Sequence, residues 1–157
     1  MSRLGSRIGK ILGRLHKDTL APPSPTSQGA RTIPVNRLLN PEERTLIEWL
    51  IANGAPQARA YTQQLTALRV VGRCSCGCPT VDLALGDSQQ NKTGPSQILA
   101  DFIGATPEGI EVGVILHVRQ DQISELEVYS LGTTDTTGRT CGLPRIESLK
   151  ALEFPPH

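Results

Sequence analysis

Three of the four cysteines fall within five residues, in Arg73-Cys74-Ser75-Cys76-Gly77-Cys78-Pro79, and the fourth is Cys141. Thiolates are the preferred ligands of structural zinc, so Cys74, Cys76, Cys78 and Cys141 form one candidate ligand set, with His117 as an alternative ligand. The spacing departs from the familiar pattern of two pairs, each with about two to four residues between its members. If residues 74–78 were extended, the Cα atoms of Cys74 and Cys78 would lie roughly 13 Å apart. Two sulfurs on one zinc are separated by at most about 4.6 Å. A single ion therefore requires a sharp turn, and Gly77-Cys78-Pro79 is where the sequence offers one.

The same residues also allow thiol redox chemistry. Cys76-Gly77-Cys78 brings two thiols near each other, and Arg69 and Arg73 would favour the thiolate. The two-residue spacer and βαβ context of thioredoxin-like motifs are missing. Free cysteine is among the most buried residue types, and the sequence weights small buried apolar cysteines above either chemistry. That reading leaves their density unexplained. No cofactor is expected, with zinc as the one candidate.

Other chemistry is sparse. There is no G-x-S-x-G, P-loop, H-E-x-x-H or G-x-G-x-x-G motif, and an enzyme is not the expectation. His117 reads as a satisfied core histidine in an apolar strand. Asp82 and Asp101 would be paired carboxylates only if their strands were neighbours. Asp121, Glu125 and Glu127 are candidate interaction residues, carboxylates that could face a basic partner.

The charge is unevenly divided. Residues 1–39 carry seven basic side chains against Asp18 alone, a net +6, and residues 40–157 carry nine basic and fourteen acidic groups, a net −5. The formal +1 thus hides a basic tail on an acidic domain. An acidic domain with two Phe, two Tyr and one Trp is a poor nucleic-acid binder. No apolar run reaches the length of about 18 residues that a spanning helix needs. No signal-peptide pattern is visible either, so a cytoplasmic protein with reduced thiols is expected.

Three segments should position these residues. Residues 1–20 form a basic amphipathic tail, in which residues 1–18 suit an anionic membrane surface or an organellar leader. Residues 21–37 are rich in Pro and Ser and read as a linker. Residues 38–157 form the domain. Its first helix starts at Asn40-Pro41-Glu42-Glu43, where Asn40 caps and Glu43 reaches back, and Gly54 supplies a left-handed stop. Pro56 opens a second helix with Ala58, Tyr61, Leu65 and Leu68 on one face. Beyond Arg69 the period becomes two, with strands expected near 80–85, 98–105, 111–119 and 123–131. The fold class expected is α+β, a helical hairpin packed on an antiparallel sheet of three to five strands.

Leu39-Asn40-Pro41-Glu42-Glu43-Arg44-Thr45-Leu46-Ile47, followed by Val70-Val71-Gly72-Arg73-Cys74-Ser75-Cys76-Gly77-Cys78-Pro79-Thr80-Val81-Asp82-Leu83, resembles small uncharacterised bacterial proteins, many of them actinobacterial. The likeness extends through Leu126-Glu127-Val128-Tyr129 and implies no function. The leading expectation is a non-enzymatic protein-binding module, of the kind that neutralises a toxin as an immunity protein. The alternatives are a metal- or thiol-dependent regulator using residues 74–78, and a peripheral membrane or organellar protein addressed by its tail.

Overall fold

A computed structural model describes residues 32–89, 92–132 and 141–152. The basic tail lies outside the described residues, as does most of the segment read as a linker. Strand β1 (Thr32–Leu38) precedes helix α1 (Pro41–Asn53), a 3-10 helix (Pro56–Thr66), and strands β2 (Leu68–Cys74) and β3 (Val81–Leu85). Strands β4 (Gln97–Ala105), β5 (Glu111–Arg119) and β6 (Gln122–Ser130) follow, then a 3-10 turn (Ile146–Ser148) and the short β7 (Lys150–Ala151). All pairings are antiparallel, in the order β1-β2-β3-β6-β5-β4-β7.

This corrects the expected fold class. The molecule is mostly a seven-stranded antiparallel sheet, not a helical hairpin on three to five strands. Two causes are visible. Residues 32–37 hold Pro34, which reads as linker, but β1 is an edge strand, where the missing N–H costs no ladder bond. The second helix winds as a 3-10 helix without a side-chain cap, and its period of three aligns Ala58, Tyr61 and Gln64. Gln64 docks this segment on the next layer: its Nε2 donates to Asp121 O at 2.8 Å and its Oε1 accepts from Ile123 N–H at 2.9 Å.

Helix α1 begins as its sequence demands. Asn40 Oδ1 accepts from Glu43 N–H at 2.8 Å, and Glu43 Oε2 accepts from Asn40 N–H at 2.9 Å, a complete capping box. Leu46, Ile47, Leu50 and Ile51 are buried against one face of the sheet, among Val70, Leu83, Leu99, Phe102, Leu116, Leu126 and Val128. Trp49 meets Phe102 edge to face at 4.9 Å. Gly54 ends the helix in an extended conformation (φ −76°), not the left-handed one expected. Glycine is needed there because a Cβ would run into the carbonyl oxygens of Leu99 and Leu50. No helix among the described residues is long and apolar enough to cross a membrane.

The opposite face of the sheet is polar. Strand alternation puts Asp82 of β3, Glu125, Glu127 and Tyr129 of β6, His117 of β5 and Asp101 of β4 on that side, while Leu126, Val128, Leu116 and Val114 point into the core.

Candidate functional site

The cysteine run is the loop of the β2–β3 hairpin. Strand β2 ends at Cys74, whose N–H donates to Thr80 O at 3.2 Å and so closes the loop at its base. Within the loop Gly77 N–H donates to Cys74 O at 3.3 Å, turning the chain over Ser75 and Cys76. Gly77 follows in the left-handed region (φ 85°), where a side chain costs about 1–2 kcal/mol. The required turn therefore forms, centred ahead of the Gly77-Cys78-Pro79 step favoured by the sequence.

That turn gathers the thiols. The Sγ atoms of Cys74, Cys76 and Cys78 all lie within 4.8 Å of one another, and this is the one group among the described residues with spacing that could hold a metal ion. Cys74 Sγ and Cys76 Sγ are 2.8 Å apart, and Cys78 N–H donates to Cys76 Sγ at 3.4 Å. Cys74 is buried, Cys78 half-buried and Cys76 exposed. Cys141 is buried in the core cluster and stands outside the group of three, near enough to feel it electrostatically. All four cysteines are free thiols.

The thiols divide their protons unequally. Burial pushes the Cys74 thiol up to about 12, and its hydrogen bond to Cys76 adds to the rise. Burial also pushes Cys76 up, but hydrogen bonds from the Cys74 thiol and from Cys78 outweigh it and hold Cys76 below the ordinary thiol range. Cys141 is raised, first by burial and then by the neighbouring Cys78. Arg69, expected to favour the thiolate, donates its Nε–H to Asn36 Oδ1 at 2.9 Å.

The loop overhangs a cleft of about 350 Å³ on the polar face, lined by the three cysteines together with Thr32, Asp82, Glu125, Glu127 and Tyr129. Asp82 lies directly opposite Glu125 across the β3–β6 pair. Lys92 offsets this like-charge contact by donating to Asp82 Oδ2 at 2.8 Å. Glu125 is nevertheless raised, by burial first, with Asp82 and Glu127 adding and His117 and Lys92 opposing. Two of the three candidate interaction carboxylates, Glu125 and Glu127, share this cleft. Asp121 does not: it sits in the β5–β6 turn with φ 58°, held by Gln64. Asp82 and Asp101 are not a pair, since β6 and β5 stand between their strands.

His117 is a satisfied histidine, as expected, but it is half-buried on the polar face of the sheet and not in the core. Its Nε2 lies 2.8 Å from Glu127 Oε2 and its Nδ1 lies 2.9 Å from Ser96 Oγ. Only the strand register joins these residues, so no local motif in the sequence marks Ser96 or Glu127 as partners of His117.

Asp101, on the same face, has a buried Oδ1 without a hydrogen-bond partner. Burial raises its pKa, Glu127 adds to the rise and His117 opposes it. A raised folded-state pKa means that ionisation opposes folding: the favourable contribution is complete below the unfolded value of about 3.9 and is lost as pH climbs through the folded value. Asp101→Asn should therefore stabilise the domain by about 1 kcal/mol at pH 7, and the gain should vanish near pH 3. Thermal unfolding between pH 3 and 7 reads this directly, and a destabilised variant at pH 7 would show that the carboxylate has a favourable ionic partner.

No protein-family model, no curated protein and no solved structure matches this chain. The site's chemistry is the ground for a functional reading.

Proposed function

We propose that this chain is a metal-dependent regulatory protein that takes up one thiophilic ion, zinc(II) or copper(I), through Cys74, Cys76 and Cys78. The observation that carries the reading is the convergence of three Sγ atoms within 4.8 Å on one hairpin loop. Tetrahedral zinc with bonds of about 2.3 Å wants sulfurs roughly 3.8 Å apart. The Cys74–Cys76 separation falls short of that value, so ion entry requires the 2.8 Å contact to open by about 1 Å. Three thiolates suit a soft ion over magnesium or calcium, which take oxygen ligands. Cys141 is the candidate fourth ligand. Free thiols of this kind belong in a reducing compartment, and we propose a cytoplasmic location on that basis.

The same 2.8 Å contact supports a second reading, thiol redox regulation, in which Cys76 is the reactive thiol and Cys74 its partner. Protein contact through the cleft is a weaker proposal. It retains Glu125 and Glu127, but Asp121 stands apart from them.

Native mass spectrometry of the purified chain, with a free-thiol count, separates these readings. One zinc or copper per chain and at least three protected thiols is the expected result. A metal-free chain that stays metal-free when titrated with zinc(II) and with copper(I), and has four titratable thiols, would remove the metal reading.

A further inference from the structure

We infer that Ser96, His117 and Glu127 form a second site, a nucleophilic serine that accepts acyl groups from carboxylic esters. It is independent of metal uptake by the thiol loop. The signature of an activated nucleophile is a hydroxyl within hydrogen-bond reach of a base that is itself oriented by a third group. Ser96 Oγ to His117 Nδ1 is 2.9 Å, and His117 Nε2 to Glu127 Oε2 is 2.8 Å.

The sense of these bonds follows from the groups themselves. A carboxylate can only accept, so Nε2 carries the ring hydrogen. Nδ1 is then the acceptor, and Ser96 must donate to it, which is the polarity that nucleophilic attack requires. The imidazole is used with its nitrogens exchanged relative to the familiar serine triads, and the roles are preserved.

The fold holds the three groups in place. Glu127 lies opposite Ile115, one strand-face position along from the His117↔Glu125 pair, so its side chain bridges diagonally to His117. Ser96 immediately precedes β4, where Ile98 pairs with His117. The loop that carries Ser96 is pinned by Arg119, whose Nη1 donates to Gly94 O at 2.7 Å. Exposure also divides as the chemistry asks: the His117 side chain is 14% accessible, whereas Ser96 is exposed to an incoming ester.

In the acylation step Ser96 Oγ bonds to the ester carbonyl carbon as its proton passes to His117 Nδ1. The tetrahedral adduct then expels the alcohol oxygen, which leaves with that proton. Water attacks the acyl-serine with His117 as base, giving the carboxylic acid and regenerating Ser96. The sum is ester plus water to acid plus alcohol.

The test treats the full-length chain with a fluorophosphonate probe and, separately, with p-nitrophenyl acetate, and locates adducts by peptide mass mapping. One adduct on Ser96 is expected, formed at least about a hundredfold faster than in Glu127→Gln or His117→Ala. Ser96→Ala, an exposed change that leaves the fold intact by circular dichroism, should carry no adduct on this segment. Labelling confined to cysteines, no adduct on Ser96, or a wild-type labelling rate in folded Glu127→Gln would each overturn the inference.

Discussion

Cys76→Ser should lower the affinity for zinc(II) or copper(I) by about a hundredfold or more while leaving the metal-free fold unchanged. Metal sites built on four protein ligands supply about 10–16 kcal/mol, which is roughly 3 kcal/mol per ligand, and each 1.4 kcal/mol is about tenfold in affinity. Serine keeps the size but gives a hard hydroxyl in place of a soft thiolate. Cys76 is the informative position for two reasons. Its sulfur lies 2.8 Å from Cys74 Sγ and accepts from the Cys78 backbone N–H, so it contacts both of the other cysteines. It is also exposed, so its loss removes no core packing, and exposed substitutions of this kind usually stay within about 0.5 kcal/mol. Competition against a chromophoric chelator measures the first quantity and thermal unfolding of the metal-free chain the second. Equal metal affinity in the variant would mean that the three thiols do not act as one ligand set.

The second large effect is on stability. Glu43→Ala should cost about 2 kcal/mol, or roughly 8 °C in Tm. Glu43 is 4% exposed and does two jobs. It completes the capping box of α1, and it receives Arg37 Nη1 and Nη2 at 2.7 Å each, tying edge strand β1 to the helix. Loss of the cap bond costs about 1 kcal/mol. The bidentate pair contributes about another 1 kcal/mol, a figure kept low because the Arg37 side chain is 42% accessible and screened by water. The Glu43 bond is also what raises the Arg37 pKa. Glu42→Ala, one residue earlier and exposed, is the control and should move the midpoint by less than about 0.5 kcal/mol. Urea titration of both variants decides whether Glu43 anchors β1 as well as capping α1.

What the sequence disclosed was local. Asn40-Pro41-Glu42-Glu43 announced a capped helix and the structure has the full capping box, because every atom of that motif lies within four residues. The alternation in 111–131 gave β5 and β6 to within about a residue at each end, and the turn between them falls at Gln120-Asp121. The cysteine run disclosed its chemistry but not its shape. Spacing set the need for a turn, and only the hydrogen bonds Gly77→Cys74 and Cys74→Thr80 show how it is made. The rest depended on long-range register. Pro34 obscured β1 because its cost depends on whether a strand lies at an edge. Ser96, His117 and Glu127 carry no shared motif, and Asp82 and Asp101 looked pairable until two strands came between them.

The join between β3 and β6 has a mechanical meaning. Only Val81↔Leu126 and Asp82↔Glu125 are paired there, against eight residue pairs between β5 and β6. Thr80 extends the join with its side chain, Oγ1 donating to Val128 O at 3.0 Å and accepting from Val128 N–H at 2.9 Å. The sheet is thus two stiff plates, β1-β2-β3 and β6-β5-β4-β7, meeting along a short weld that includes an opposed pair of carboxylates. A force that separates the plates concentrates on that weld. The thiol loop is anchored on one plate and Glu125, Glu127 and Tyr129 on the other, so any ligand spanning the cleft acts as a rivet across that weld.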